Sequence, residues 1–257
     1  MTEASVSIGV AGALGPGAIA DIATAAEAAG FHALWVNETP GTDAIAAIVA
    51  AAAVTDRLVL ATGVVPVDRR PAAEIIAAVR DLPQERLVLG IGSGGARVGA
   101  LALVGDAVQR LRASTTARVM VGALGPRMRR LAAETADGPL LSWLTPARAA
   151  EQADEARATQ RGTRVSLYVR TALEPAAAAR LGTETAQYAG FPAYAANLQR
   201  LGIAATDTTL DDARFETGLP AYRGAVDEVV LRAITPGGTA PEIIGFVGLA
   251  AARIAAR

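Results

Sequence analysis

Short β-branched or leucine-rich runs alternate along this chain with longer stretches spaced as helices, the pattern of repeated βα units feeding a parallel sheet. The first run is Val6 to Val10, followed by a helix from Gly17 to Ala29 that Gly30 can close in the left-handed conformation. Ala33 to Val36 is the second strand, with a polar turn from Asn37 to Thr42 and a helix from Asp43 to Val54 behind it. Leu58 to Val64 and Leu87 to Ile91 follow as strands, each leading to a helix, Pro71 to Leu82 and Val98 to Arg112. Next come a strand from Arg118 to Val121, a helix from Pro126 to Thr135, a short strand from Pro139 to Leu141 and a helix from Pro146 to about Arg161. Val165 to Thr171 is the seventh strand, Pro192 to Leu201 a helix, Val229 to Ile234 the eighth strand, and Glu242 to Ala256 the last helix. Eight such units in about 250 residues predict a (β/α)8 TIM barrel of α/β class; if one or two strands fail, a doubly wound open sheet remains. The stretch from Glu174 to Arg223 reads as irregular, with short helical pieces, and is expected at the barrel mouth or rim.

At 257 residues the whole chain, 1–257, fits one barrel domain. Hydrophobic residues make up 52% but aromatics only 4%, so Ala, Val, Leu and Ile do the packing and an aromatic at a site stands out. The chain has no cysteine, which excludes disulfides and thiolate metal sites and points to a reducing compartment. Its 24 basic residues are all arginine, balanced by 25 acidic ones, which leaves no electrostatic footprint for nucleic acid or an anionic membrane. The first residues carry neither a basic segment nor a long apolar one, and every alanine-rich run is interrupted before a membrane-spanning length. A cytoplasmic protein with a small-molecule partner is the expectation.

In a barrel, chemistry gathers where strands end, so the turns after the strands supply the candidates. Gly90 to Gly95 matches G-x-G-x-x-G, a dinucleotide fingerprint. Three βα units precede it, however, and no acidic residue ends the next strand, so a turn approaching some other anion competes with that reading, as does a plain turn. The turn Gly122 to Gly125 runs into Pro126 at a helix start, where a phosphate or carboxylate could be held, or where Gly and Pro merely punctuate. His32, the single histidine, precedes its strand and is expected to be structural, so no His-based triad or His-rich metal site can be built. Glu38 follows Asn37 at a strand end, either as an acid/base group or as a cap or rim carboxylate. Asp68, beside Arg69 and Arg70, reads as a surface ion pair. Arg170 and Arg232, near the ends of the last two strands, either clamp an anion or form rim salt bridges.

Three blocks, AEAAGFHALWVNETPGTDAIAAIVAAAAVTDRLVLATGVVPVDRRPAAEIIAAV, ERLVLGIGSGG and GALGPRMRRLAAETADGPLLSWLTP, together resemble the luciferase-like flavin and deazaflavin oxidoreductases. They cover most of residues 25 to 150 and look most like the branch that uses the deazaflavin coenzyme F420. The resemblance implies a luciferase-like TIM barrel with F420, or alternatively FMN, in its mouth. It implies that Asn37 and Glu38 meet the ring and the substrate, and that Gly63 and Val64 form a bulge, often a non-proline cis peptide, behind the ring, with Pro66 beside it. Ser93 and Gly94 would touch the cofactor, and Leu124, Gly125, Arg127 and Met128 would hold its phosphate. The family's long excursion before the fifth strand is missing, because Gly95 to Arg118 holds one helix, so a more open mouth is expected. The reaction implied is hydride transfer between the cofactor and a small organic substrate, with Glu38 handling the proton and Trp143, Val65, Arg170 and Arg232 near the substrate. A non-catalytic flavin-binding or partner subunit is the alternative. A homodimer through the alanine-rich helices from Asp43 to Val54 and Pro71 to Leu82 is also implied.

Overall fold

The computed structural model describes residues 3–256. Its strands are β1 (Ser5–Ala11), β2 (Ala33–Asn37), β3 (Val59–Thr62), β4 (Val65–Pro66), β5 (Leu87–Gly92), β6 (Arg118–Gly122), β7 (Gly138–Ser142), β8 (Ser166–Thr171) and β9 (Glu228–Ala233). They lie in the order β3-β2-β1-β9-β8-β7-β6-β5-β4, and a further β3–β5 pairing closes the ring. Every pairing is parallel. The result is a closed eight-position barrel, because β3 and β4 are two halves of the third position, and the open-sheet alternative falls.

The run from Leu58 to Val64 is therefore not one strand. The peptide Gly63-Val64 is cis, as the family resemblance implied. Gly63 N–H still donates to Val36 O at 2.8 Å, after which the chain bulges and re-enters the sheet with Val65 opposite Ile91.

Helices wrap the barrel: α1 (Pro16–Ala28), α2 (Ala44–Ala52), α3 (Ala72–Val79), α4 (Ala100–Ser114), α5 (Pro126–Thr135) and α6 (Pro146–Thr159). Alternate strand residues such as Ile8, Leu34, Leu60, Leu89, Val119, Leu167 and Leu231 point outward into this helix layer and form the main core. The inward residues Ala33, Trp35, Ala61, Val88, Met120, Leu140, Tyr168 and Val230 form a second core inside the ring. Trp35 and Tyr168, edge to face at 6.0 Å between ring centres, fill its middle. Space for them comes from glycine: a Cβ on Gly9 would lie 2.8 Å from Tyr168 Cε1. Beneath them the buried Glu228 carboxylate accepts from Ser7 Oγ at 2.6 Å, Trp35 Nε1 at 2.7 Å and Ser166 Oγ at 2.8 Å, a satisfied polar floor.

The segment from Glu174 to Arg223 is more regular than its sequence suggests. It forms α7 (Ala178–Gly190), α8 (Pro192–Leu201) and α9 (Phe215–Arg223), ahead of β9 and the last helix, α10 (Ala240–Ala255). Between β5 and β6 only a turn and α4 intervene, so the covering excursion of this barrel follows β8 instead. Among the described residues, no helix is long and apolar enough to cross a membrane.

Candidate active site

At the carboxyl ends of the strands lies a cavity of about 510 Å³, bounded by the ends of β2 through β8 and roofed on one side by α7 and α8. Its walls include Asn37, Glu38, Gly63, Val64, Pro66, Ser93, Gly94, Leu124, Gly125, Met128 and Arg170. Eleven positions singled out in the sequence thus converge on one hollow.

On the β2 side, Asn37 Nδ2 donates to Gly63 O and ties the bulge to its neighbour, leaving the buried Asn37 Oδ1 without a partner. The Glu38 side chain is only 7% exposed, and its Oε2 accepts from Ala44 N–H at 3.2 Å at the start of α2 and sits 3.6 Å from Arg70 Nη1. Glu38 thus supports a helix start, as the cap reading expected, and also faces the cavity. Burial pushes its carboxyl above the usual range, opposed by the Ala44 N–H and by Arg70.

Val64 projects from the bulge toward β5 and β6. A Cβ on Gly92 would lie 2.7 Å from Val64 Cγ2, and one on Gly122 2.9 Å from Val64 Cγ1, so both inner strand ends need glycine to seat it. The β5 turn continues through Gly94 at φ +58°, and Gly95 N–H donates to Asp68 Oδ2 at 2.8 Å. Asp68 therefore pins a cavity turn and is not the surface ion-pair partner its neighbours suggested.

At the β6 end, Gly125 is the N-cap of α5, which begins at Pro126 with no side chain capping it. A Cβ added at Gly125 would meet open space. The positive end of this helix faces the cavity with only backbone to offer. Arg129, 5% exposed, braces the turn by donating to Leu124 O at 3.3 Å while pairing with Glu155 at 2.7 Å. Arg127 is exposed and outside the lining, so of the four residues expected to hold a phosphate, Leu124, Gly125 and Met128 line the hollow and Arg127 does not.

Tyr168 rises from β8 into the cavity floor, its hydroxyl buried and unpartnered, and burial pushes that phenol far above its ordinary range. Two positions further, Arg170 stacks over Trp143 at 4.1 Å and over Tyr188 at 4.7 Å, its Nε donating to Glu184 at 3.2 Å. Trp143 itself, expected at the mouth, is 1% exposed with φ +57° and backs Arg170 without lining the cavity. Val65 is fully buried against the outer helices. Arg232 also lies outside the lining, because its Nη1 donates to Ala233 O at 2.6 Å and its Nη2 sits 4.0 Å from Glu184. Burial there pulls its guanidinium below its usual pKa, with Glu184 opposing.

Sequence reasoning missed Tyr168, Tyr188, Ala193 and Tyr194, and likewise Leu140 and Leu141, all of which line the cavity. The scarcity of aromatics was a usable signal: Tyr188 and Tyr194, 5.0 Å apart and edge to face, account for two of only four tyrosines. His32 lies at the foot of β2, half-buried, away from this cavity, and burial draws its pKa down.

A closed parallel barrel with a cavity at the carboxyl ends of its strands, lined by glycine turns and a bulged third strand, defines a TIM barrel. Residues 3–103 match the family described as luciferase-like monooxygenase, in line with the resemblance read from the sequence. None of the curated proteins matches. Among solved structures, the F420-dependent tetrahydromethanopterin reductase from Methanopyrus kandleri superposes with a TM-score of 0.73 at 14% identity, covering 97% of this chain and 98% of that one. An F420-dependent secondary alcohol dehydrogenase in complex with an F420-acetone adduct gives 0.71 at 13% identity, over 97% and 99% of the two chains. The monooxygenase RslO1 from Streptomyces bottropensis gives 0.72 at 17% identity, over 98% and 99%. At such identities these likenesses describe a shared fold.

Proposed function

We propose that this protein is a deazaflavin-dependent oxidoreductase that moves a hydride between F420 and a small organic substrate. The observation carrying the proposal is that one cavity joins three complementary features. These are the uncapped start of α5, the unpartnered Asn37 Oδ1 and Tyr168 hydroxyl, and the partly desolvated Glu38. They fit a phosphorylated ring cofactor: α5 would take the phosphate, and Asn37 and Tyr168 the polar ring edge, with Val64 against the ring and Ser93 and Gly94 beside it. When bound, F420 supplies a two-electron hydride carrier. Glu38 holds the proton that accompanies the hydride, its raised pKa bringing it closer to neutral pH, where an acid/base group works best. Tyr188 and Tyr194, standing over the cavity, exclude water on the α7–α8 side. FMN is the alternative cofactor, because it too brings a phosphate and a flat ring.

One observation favours a second reading, a flavin-binding subunit without turnover: the Glu38 carboxylate is already engaged by Ala44 N–H and Arg70. Following F420 absorbance, with the reduced complex against ketones and enones and the oxidised complex against alcohols, separates the two. Oxidation of the reduced cofactor by a ketone or enone, or reduction of the oxidised cofactor by an alcohol, supports the enzyme, and tight binding without turnover supports the subunit. We further propose a homodimer through α2 and α3, supported by Val49 and Val54, which are 43% and 48% exposed in and just beyond α2. Light scattering showing a monomer at micromolar concentration would remove that part.

A further inference from the structure

Two arginines at the cavity's β8–β9 side share one carboxylate. Arg170 Nε and Arg232 Nη2 both reach Glu184, at 3.2 Å and 4.0 Å, which leaves one positive charge in excess. Arg170 is 5% exposed, and its Nη1 is buried with no acceptor. Leaving an N–H of a charged group unpaired in a buried site is unfavourable, and an arriving oxyanion supplies the missing acceptor. The guanidinium cannot swing away to find water, because Trp143 and Tyr188 stack on it. Trp143 holds its place in a left-handed backbone conformation that a bulky residue rarely adopts, an arrangement that persists where the surroundings impose it.

This cationic group is distinct from the start of α5. Arg170 stands on β8 and the α5 turn follows β6, with β7 between them, a separation of two strand spacings or about 10 Å. The cavity therefore offers two anion-seeking features. We propose that Arg170, steadied by Trp143, Tyr188 and Glu184, is the specificity residue for a substrate bearing a carboxylate, while the α5 turn serves the cofactor phosphate. The substrate class is a small carboxylate whose apolar body packs against Tyr188 and Tyr194 in the same wall. This deepens the proposed oxidoreductase reading and rests on it for the word substrate, although the anion subsite is measurable without any cofactor.

Calorimetric titration of the protein alone with benzoate and with benzamide, its neutral counterpart, tests the subsite. Benzoate should bind about tenfold or more tightly than benzamide. Arg170→Gln should bring the ratio close to one, and Arg170→Lys, which keeps the charge but loses the planar fork, should retain part of it. F420 and FMN affinity should stay within about twofold of wild type in both variants, whose folding is checked by circular dichroism; Arg170→Lys carries the test if Arg170→Gln fails to fold. A wild-type ratio near one overturns the proposal, as does a ratio that survives in Arg170→Gln. Loss of F420 and FMN affinity with the benzoate preference intact would assign Arg170 to the cofactor phosphate and also overturn it. Benzoate preference in a protein that binds neither F420 nor FMN would sustain the anion subsite while sinking the oxidoreductase reading.

Discussion

Replacing Tyr168 by Phe removes one oxygen from the middle of the barrel and should push stability and binding in opposite directions. The hydroxyl is buried and has no hydrogen-bond partner, and such an unsatisfied group costs the folded state about 1–3 kcal/mol. Phe keeps the ring, its edge-to-face packing on Trp35 and its place beside Gly9 and Gly63. The oxygen leaves only a small void, so Tyr168→Phe should gain about 1 kcal/mol, a rise of about 2–4 °C in Tm for a chain of this size. Were the hydroxyl waiting for a ligand atom, the same change should weaken F420 or FMN binding by about tenfold, the worth of one hydrogen bond in a desolvated site. Urea unfolding followed by circular dichroism gives the first number, and fluorescence titration gives the second. A variant destabilised by more than about 1 kcal/mol would mean that the hydroxyl is already satisfied in the free protein, and the reasoning would fail.

Two other substitutions probe the frame and the proton-handling group. Glu228→Leu strips the acceptor from Ser7, Trp35 and Ser166 and should cost at least about 3 kcal/mol by chemical unfolding. Glu228→Gln, whose Oε1 can keep the Ser7 and Trp35 bonds while its amide donates to Ser166, should cost about 1 kcal/mol, and equal costs would count against the floor as described. Glu38→Gln should lower turnover about a hundredfold or more while leaving cofactor affinity nearly intact. Because burial raises the Glu38 pKa in the folded state, the fold favours its protonated form. The stability of wild type relative to Glu38→Gln should therefore grow as pH falls from neutrality through the raised value, levelling off below about 4.3. A difference that shrinks on acidification would contradict the assigned direction.

Most of the barrel is legible because its strands carry one outward apolar face each. Runs such as Leu87-Val88-Leu89-Gly90-Ile91 announce themselves by β-branched and leucine content between polar helix ends. The break at Gly63-Val64 carries no such signal, because an apolar run interrupted by a single glycine reads the same straight or bulged, and only the family resemblance pointed to it. The helices α7 and α9 were obscured for a different reason. Over Ala178–Gly190 only Leu181 and Thr185 are buried, so α7 lacks an apolar stripe, whereas in α9 Phe215, Leu219 and Tyr222 share one face but Pro220 inside the run reads as a helix breaker. Asn37 and Arg170 were legible from their places at strand ends, and alternation with the inward Trp35 and Tyr168 is why they face the cavity. Trp143 was misplaced because a left-handed residue at the end of β7 turns its ring beneath Arg170, a choice made by tertiary packing.

The central claim is that the strand-end cavity holds a phosphorylated ring cofactor against Asn37, Tyr168 and the start of α5. The most direct measurement is an equilibrium titration of F420, and separately FMN, into wild type, Asn37→Ala and Tyr168→Phe, followed by cofactor fluorescence. The account predicts one saturable site per chain for at least one cofactor, weakened about tenfold in each variant. Absence of saturable binding for both cofactors, or binding that neither substitution alters, would contradict it.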